Sequence, residues 1–186
     1  MITGKFPELR LRRSRKNDWS RRLIEENNLT ANDFILPIFL IEGKNKKQEI
    51  KSMPEVYRYT LDRLSSVVDR AIKKKLPMIA LFPYTEKRKK NNLGTEALNE
   101  DNLVCKAIQL IKKKYKNQIG IMTDVALDPY TSHGHDGLLK SGYVLNDETI
   151  EILKNQSLLQ AEMGCCLLYT SDAAAEGLGV DLGGRR

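Results

Sequence analysis

Cysteine is scarce in this chain. Three occur in 186 residues (Cys105, Cys165 and Cys166), with neither the spacing of a zinc cage nor a disulfide framework. Cys105 lies inside a helical apolar pattern and reads as a small core residue. No apolar run approaches the length that spans a bilayer, which argues against a membrane protein. The N-terminal stretch has no hydrophobic signal core, so a cytoplasmic chain is expected. No G-x-G-x-x-G follows the first strand-like run, which counts against a dinucleotide fold. The basic clusters Arg10–Lys16, Lys73–Lys75, Lys87–Lys90 and Lys112–Lys116 lack interleaved aromatics. A net charge of +7 admits a basic nucleic-acid-binding protein as an alternative. Most of these clusters fall at helix ends or loops, however, where solvated faces account for them.

What is present is a soluble globular composition, 41% apolar and 30% charged, with length for one sizeable core. Residues 1–30 are polar and arginine-rich and read as an N-terminal arm, with Trp19, Leu23 and Ile24 offering apolar surface to a body or to another subunit. A β-then-α rhythm follows. Strands are expected over 34–40, 78–82 and 119–127, and helices over 62–75, 101–115 and 147–163. Leu61, Leu64, Val68, Ala71 and Ile72 form the stripe of the first helix. Leu103, Val104, Ala107, Ile108 and Ile111 form that of the second, capped by Asp101 or its neighbour. The third is expected to bury Ile150, Leu153, Leu158 and Ala161 and to end at Gly164. Strands and helices alternating at near-uniform spacing imply crossovers and a parallel sheet, either doubly wound or an eight-stranded barrel. A complete barrel takes roughly 250 residues. The chain supplies three clear units and the start of a fourth.

The chemistry concentrates in "DVALDPYTSHGHDGL" (Asp124–Leu138), which holds three aspartates and both histidines. Asp124 lies near the loop-bearing end of the third strand, where a parallel barrel lines its site. It either caps the loop or meets a cation, a substrate amine or a proton in transit. His133 and His135, in H-x-H, read either as ligands of a small His/Asp metal-binding module or as loop hydrogen-bonders. Asp128 and Asp136 add hard oxygens, which favour magnesium over zinc. Gly134 and Gly137 allow a tight loop.

With "RLRRS" (Arg10–Ser14), "LPIFLIEG" (Leu36–Gly43), "SMPEVYR" (Ser52–Arg58), "ALFP" (Ala80–Pro83), "GTEALNEDNLVCKAI" (Gly94–Ile108), "TDVALDPYTSHGHDG" (Thr123–Gly137) and "LNDETIEIL" (Leu145–Leu153), the chain resembles the delta-aminolevulinic acid dehydratase (porphobilinogen synthase) family. The match runs in the family's order from about Pro7 to Gly164. The resemblance implies an incomplete (β/α)8 barrel over residues 31–164, with an extended arm used in assembly of an octamer-type homo-oligomer. It implies condensation of two 5-aminolevulinate molecules to porphobilinogen, a hydro-lyase reaction of heme and other tetrapyrrole synthesis. Asp124 would position the substrate amine or carry a proton, Asp128 and Asp136 would add negative potential, and Phe82 would supply apolar wall. Zinc-using members carry cysteines at the positions of Ala126, Asp128 and Asp136. A carboxylate in place of a thiolate exchanges a soft ligand for a hard one, so no catalytic zinc is expected. The resemblance places the chain in a magnesium-responsive branch whose magnesium glutamate lies in the family's second half.

The residues after Gly164 depart from the family pattern. "CCLLYTSDAAAEGLGVDLGGRR" (165–186) reads as a non-family tail, with a diverged fourth strand "CLLYT" as the alternative. Ser171 and Asp172 fall near a family Ser-Asp pair, but their surroundings do not match it. The two Schiff-base lysines of the family sit in motifs that no lysine here matches. The chain as it stands is expected to be inactive.

Overall fold

The computed structural model describes residues 4–10 and 12–169. The arm contains one short helix, α1 (Asp18–Leu23), and leaves Trp19 and Leu23 64% and 78% exposed. The body then runs β1 (Ile35–Ile41), β2 (Lys47–Glu49), β3 (Tyr57–Tyr59), α2 (Leu61–Lys73), β4 (Met78–Tyr84), α3 (Leu103–Tyr115) and β5 (Gly120–Asp124). It continues through a small hairpin, β6 (Leu139–Lys140) and β7 (Tyr143–Val144), to α4 (Asn146–Glu162) and β8 (Leu167–Tyr169). The chain from Thr170 on, with Ser171 and Asp172, lies outside the described residues. Among the described residues no helix is long and apolar enough to cross a membrane.

The main sheet has the order β2-β3-β1-β4-β5-β8. Four of its strands, β1, β4, β5 and β8, are parallel neighbours in chain order, with one helix in each crossover. This is the opening part of a (β/α)8 barrel. Met78 stands opposite Gly120, so the second and third barrel strands pair in parallel, as that fold requires. The hairpin of β2 and β3 lies along the outer edge of β1, and β3 pairs with it at Phe39 and Leu40. Tyr169 is the last described residue of the fourth strand and stands opposite Asp124.

The two-residue period of a strand, with apolar side chains on both sides, sets the two faces of this sheet. Ile38 and Leu40 from β1, Ile79 and Leu81 from β4 and Ile121 from β5 point toward the helices and are fully buried. They pack on Leu64 and Val68 of α2 and on Val104, Ile108 and Ile111 of α3. The stripes read from the sequence for these two helices are the ones that face the core. Their intervening strand residues, among them Phe39, Ala80, Phe82 and Met122, face the side that a barrel turns inward.

Local signals set most boundaries. The cap of α3 is the neighbour of Asp101: the Asn102 carboxamide oxygen accepts the Cys105 N–H at 2.9 Å, and its amide reaches the Glu96 and Ala97 carbonyls. Two expectations require correction. The third barrel strand ends at Asp124 instead of 127, because side chains take over its ladder partners. Asp136 accepts the Leu127 N–H, and Gln156 donates to the Ala126 carbonyl at 3.2 Å. The face of α4 is also different. Ile150 and Leu158 are 46% and 55% exposed and Ala161 is exposed, whereas Thr149, Gln156, Leu159 and Gln160 are buried and Leu153 is half-buried. Polar side chains occupy the inward face because the strand end beneath them offers unpaired backbone groups.

Candidate functional site

Asp124 closes β5 on the inward face. Register sets Phe39 opposite Phe82, and Leu81 opposite Thr123, so Phe82 and Asp124 are next to each other along one row. The Phe39 and Phe82 rings lie 5.6 Å apart. Above this row a cavity of about 250 Å³ is lined by Phe39, Arg58, Phe82, Tyr84, Lys90, Asp124, Asp128 and Tyr130, with Pro83 and Pro129. A second hollow of about 490 Å³ shares Pro83, Tyr84, Lys90 and Pro129 with it and adds Thr85, Lys87 and Ser132. Together they form one depression at the carboxyl ends of the strands, the place where a parallel barrel carries its chemistry.

The loop after β5 is folded by its own side chains. Tyr130 and Thr131 donate backbone N–H groups to the Leu127 carbonyl at 2.8 and 2.9 Å, and the Thr131 hydroxyl donates to the His135 carbonyl at 2.9 Å. Gly134 stands at φ +76°, and a Cβ on Gly137 would meet Val144 Cγ1 at 2.8 Å, so both glycines are required by the path. Ala97, Leu127 and Tyr130 form a small buried cluster with Ile152 and Leu153 of α4. The loop after β4 is tied to the same place. Asn91 N–H donates to the Tyr130 carbonyl at 3.3 Å, and Lys90 Nζ reaches the Asp128 carbonyl at 3.3 Å.

Burial and like charge act together on the acids. The Asp124 carboxyl is half-buried, and its Oδ1 meets no hydrogen-bond donor among the described residues. Burial first, then the charges of Asp128 and Asp136, push its pKa up from 3.8 to about 6. Asp128 is raised by burial and by Asp136, with Lys90 opposing. Tyr130, buried, is driven far above the ordinary phenol range and stays protonated. A carboxyl whose pKa is raised toward neutrality, beside an apolar wall, can accept and return a proton at working pH.

Of the residues singled out in the sequence, Asp124, Asp128 and Phe82 meet at this cavity. Asp136 stands behind it, holding Leu127 N–H. His133 and His135 lie apart on the loop, their rings 5.6 Å from each other. His133 Nδ1 accepts the His135 N–H at 3.2 Å, and Nε2 lies 3.4 Å from the Asn92 carbonyl, so both ring nitrogens face partners within the loop. Ala126 brings a methyl group, and Asp136 is committed to a backbone N–H, so the positions of a thiolate zinc cage do not fit zinc here. Among the described residues no group of three or more His, Cys, Asp or Glu side chains is arranged to hold a metal. Phe39, Arg58, Tyr84, Lys90 and Tyr130 escaped the sequence reading. Phe39 shares the register of Phe82, but the pairing that reveals it is tertiary.

Comparison with known proteins agrees with this geometry. The model of the delta-aminolevulinic acid dehydratase family matches residues 8–177. A delta-aminolevulinic acid dehydratase of Bradyrhizobium diazoefficiens is 51% identical over 164 residues, covering 88% of this chain and 46% of that protein. One from Chlamydia pneumoniae is 40% identical, covering 88% of this chain and 49% of its own length. The crystal structure of delta-aminolevulinic acid dehydratase (porphobilinogen synthase) from Toxoplasma gondii, in complex with the reaction product porphobilinogen, is similar with a TM-score of 0.82 at 32% identity. That match covers 93% of this chain and 51% of the other. The chain spans about half the length of the curated relatives it matches.

Proposed function

Because the chain belongs to the delta-aminolevulinic acid dehydratase family, we propose that it forms the amino-terminal part of a site that condenses two 5-aminolevulinate molecules to porphobilinogen. The observation that carries this reading is the half-buried Asp124 carboxyl, raised to about 6 beside the Phe39–Phe82 wall. Asp124 receives a proton as the amine or carbon of the substrate gives one up, and returns it to a hydroxyl that departs as water. Asp128 and Asp136 supply negative potential that draws the substrate ammonium group toward it. Phe82 and Phe39 exclude water and keep those charges effective.

The covalent step needs an amine nucleophile. It would attack the ketone carbon of 5-aminolevulinate, form a carbinolamine and expel water to leave an imine. Lys89 is unsuited: it is paired with Glu42 and with Glu96 at 3.3 Å, which holds its ammonium form above the ordinary range. The resemblance places the Schiff-base lysines in motifs that no lysine here matches, so these 186 residues by themselves are expected to make no porphobilinogen. Magnesium bound through a glutamate of that half, octamer-type assembly through the arm and a cytoplasmic location are parts of the same proposal, supported by family membership. The engaged ring nitrogens of His133 argue against a separate histidine metal module, and family membership argues against the nucleic-acid reading.

The test is a chimera of residues 1–164 with the second half of the Bradyrhizobium diazoefficiens relative. It should make porphobilinogen without added zinc, and Asp124→Asn should lower its turnover by about 100-fold or more. The unextended chain should give no borohydride-trapped adduct with 5-aminolevulinate. Porphobilinogen made by the unextended chain would overturn the assignment of the nucleophile.

A further inference from the structure

The inward face of α4 presents two amides to one strand end. Gln156 and Gln160, one helical turn apart, are 0% and 1% exposed. Gln160 Oε1 accepts the Thr123 hydroxyl at 2.8 Å, and its Nε2 donates to the Asp124 carbonyl at 3.4 Å. Gln156 Nε2 donates to the Ala126 carbonyl at 3.2 Å. The two carboxamides therefore hold alternate carbonyls at the point where β5 leaves the sheet.

Stability alone does not account for them. Gln156 Oε1 is buried and meets no donor among the described residues. An amide buried with one end unsatisfied is destabilising relative to an apolar side chain of its shape. A leucine or methionine at Gln156 would remove that orphaned oxygen but leave the Ala126 carbonyl without its side-chain partner. What the pair contributes is location. We propose that Gln156 and Gln160 are positioning residues, a buried two-amide clamp that fixes the end of β5 and with it the Asp124 carboxyl against its loop. The inference rests on the dehydratase reading for the use made of Asp124, but the clamp is a property of this chain.

Asp128 and Asp136 of its own loop act on the carboxyl so held, and Lys90 from the loop after β4 and Arg58 from β3 line the same cavity. Releasing the strand end lets water reach Asp124 and lets the three acids move apart, so both causes of its raised pKa weaken together. Substitution by methionine keeps the volume and removes the amides.

Titration of the Asp124 carboxyl by carbon-detected NMR in the 186-residue chain separates positioning from packing. The double variant Gln156→Met/Gln160→Met should move its midpoint down by about one unit or more from about 6, well beyond any shift that a comparable loss of melting temperature produces in the control below. The control Leu159→Ala, a buried neighbour on α4 with no hydrogen bond to β5, should lower the melting temperature and leave the midpoint in place. Should the double variant fail to fold, Gln156→Met alone should speed amide exchange over Val125–Leu127 by about tenfold. An unmoved Asp124 midpoint in a folded double variant overturns the proposal, as does an equal shift in Leu159→Ala or unchanged exchange in Gln156→Met. None of these readouts needs turnover. An inactive chimera would count against the dehydratase reading and leave the clamp standing.

Discussion

Asp124 is held in a protonation state that the fold, not the residue, chooses. Its ordinary pKa of 3.8 rises to about 6 through burial and the neighbouring charges of Asp128 and Asp136. A raised folded value means that the fold favours the protonated form. The associated stability is fully present below about pH 3.8 and is lost as pH rises through about 6. Two units of difference set an upper bound of about 3 kcal/mol on that loss. Asp124→Asn should therefore match the parent in thermal melts at about pH 3.5 and melt at a higher temperature at about pH 8. The same substitution removes the proton carrier, so stability and activity in the chimera should move in opposite directions. Equal melting shifts at both pH values would show that the fold does not favour the protonated carboxyl.

At the scale of the element, α4 shows how a helix can carry its apolar residues on the wrong face for a simple reading. Leu159 is 9% exposed, whereas its neighbour Leu158 is 55% exposed. Leu159→Ala should cost about 2–3 kcal/mol in denaturant unfolding, the loss expected when a buried leucine leaves a cavity. Leu158→Ala should change stability by no more than about 0.5 kcal/mol. The reverse order would restore the stripe of Ile150, Leu153, Leu158 and Ala161 as the packed face. A second element carries an ordinary signal. Asn102 caps α3 and is 1% exposed, so Asn102→Ala should cost about 1–2 kcal/mol by loss of the Cys105 N–H bond and of its own buried amide contacts.

At the scale of the whole molecule, the inward face of the sheet is incompletely covered among the described residues. Leu167 and Tyr169 of β8 are 48% and 44% exposed, and Ile35 at the start of β1 is 42% exposed. A closed barrel fills this space with layered side chains from its other strands. An open strand edge beside apolar surface promotes pairing between chains. The 186-residue chain should self-associate as its concentration rises and should bind a hydrophobic dye, and fusion to the relative's second half should suppress both. Sedimentation of the chain as a stable monomer across that concentration range would contradict this.

The β-then-α rhythm, the stripes of α2 and α3 and the concentration of acids in Asp124–Leu138 were determined by the sequence itself. Each is a short-range pattern: a short apolar run in β1 and β4, helical periodicity in Leu103–Ile111, and charge within one loop. The motifs around Asp124 also carried the family. The end of β5 and the inward face of α4 were decided by tertiary structure. The burial of Gln156 and Gln160 emerges only when Thr123, Asp124 and Ala126 are brought beneath them, because periodicity registers apolar burial and not the burial of an amide against a strand end. Arg58 and Lys90 joined the site in the same way. Arg58 comes from β3 and Lys90 from the loop after β4, and they reach one cavity with Asp124 only when the parallel strands set their carboxyl ends side by side.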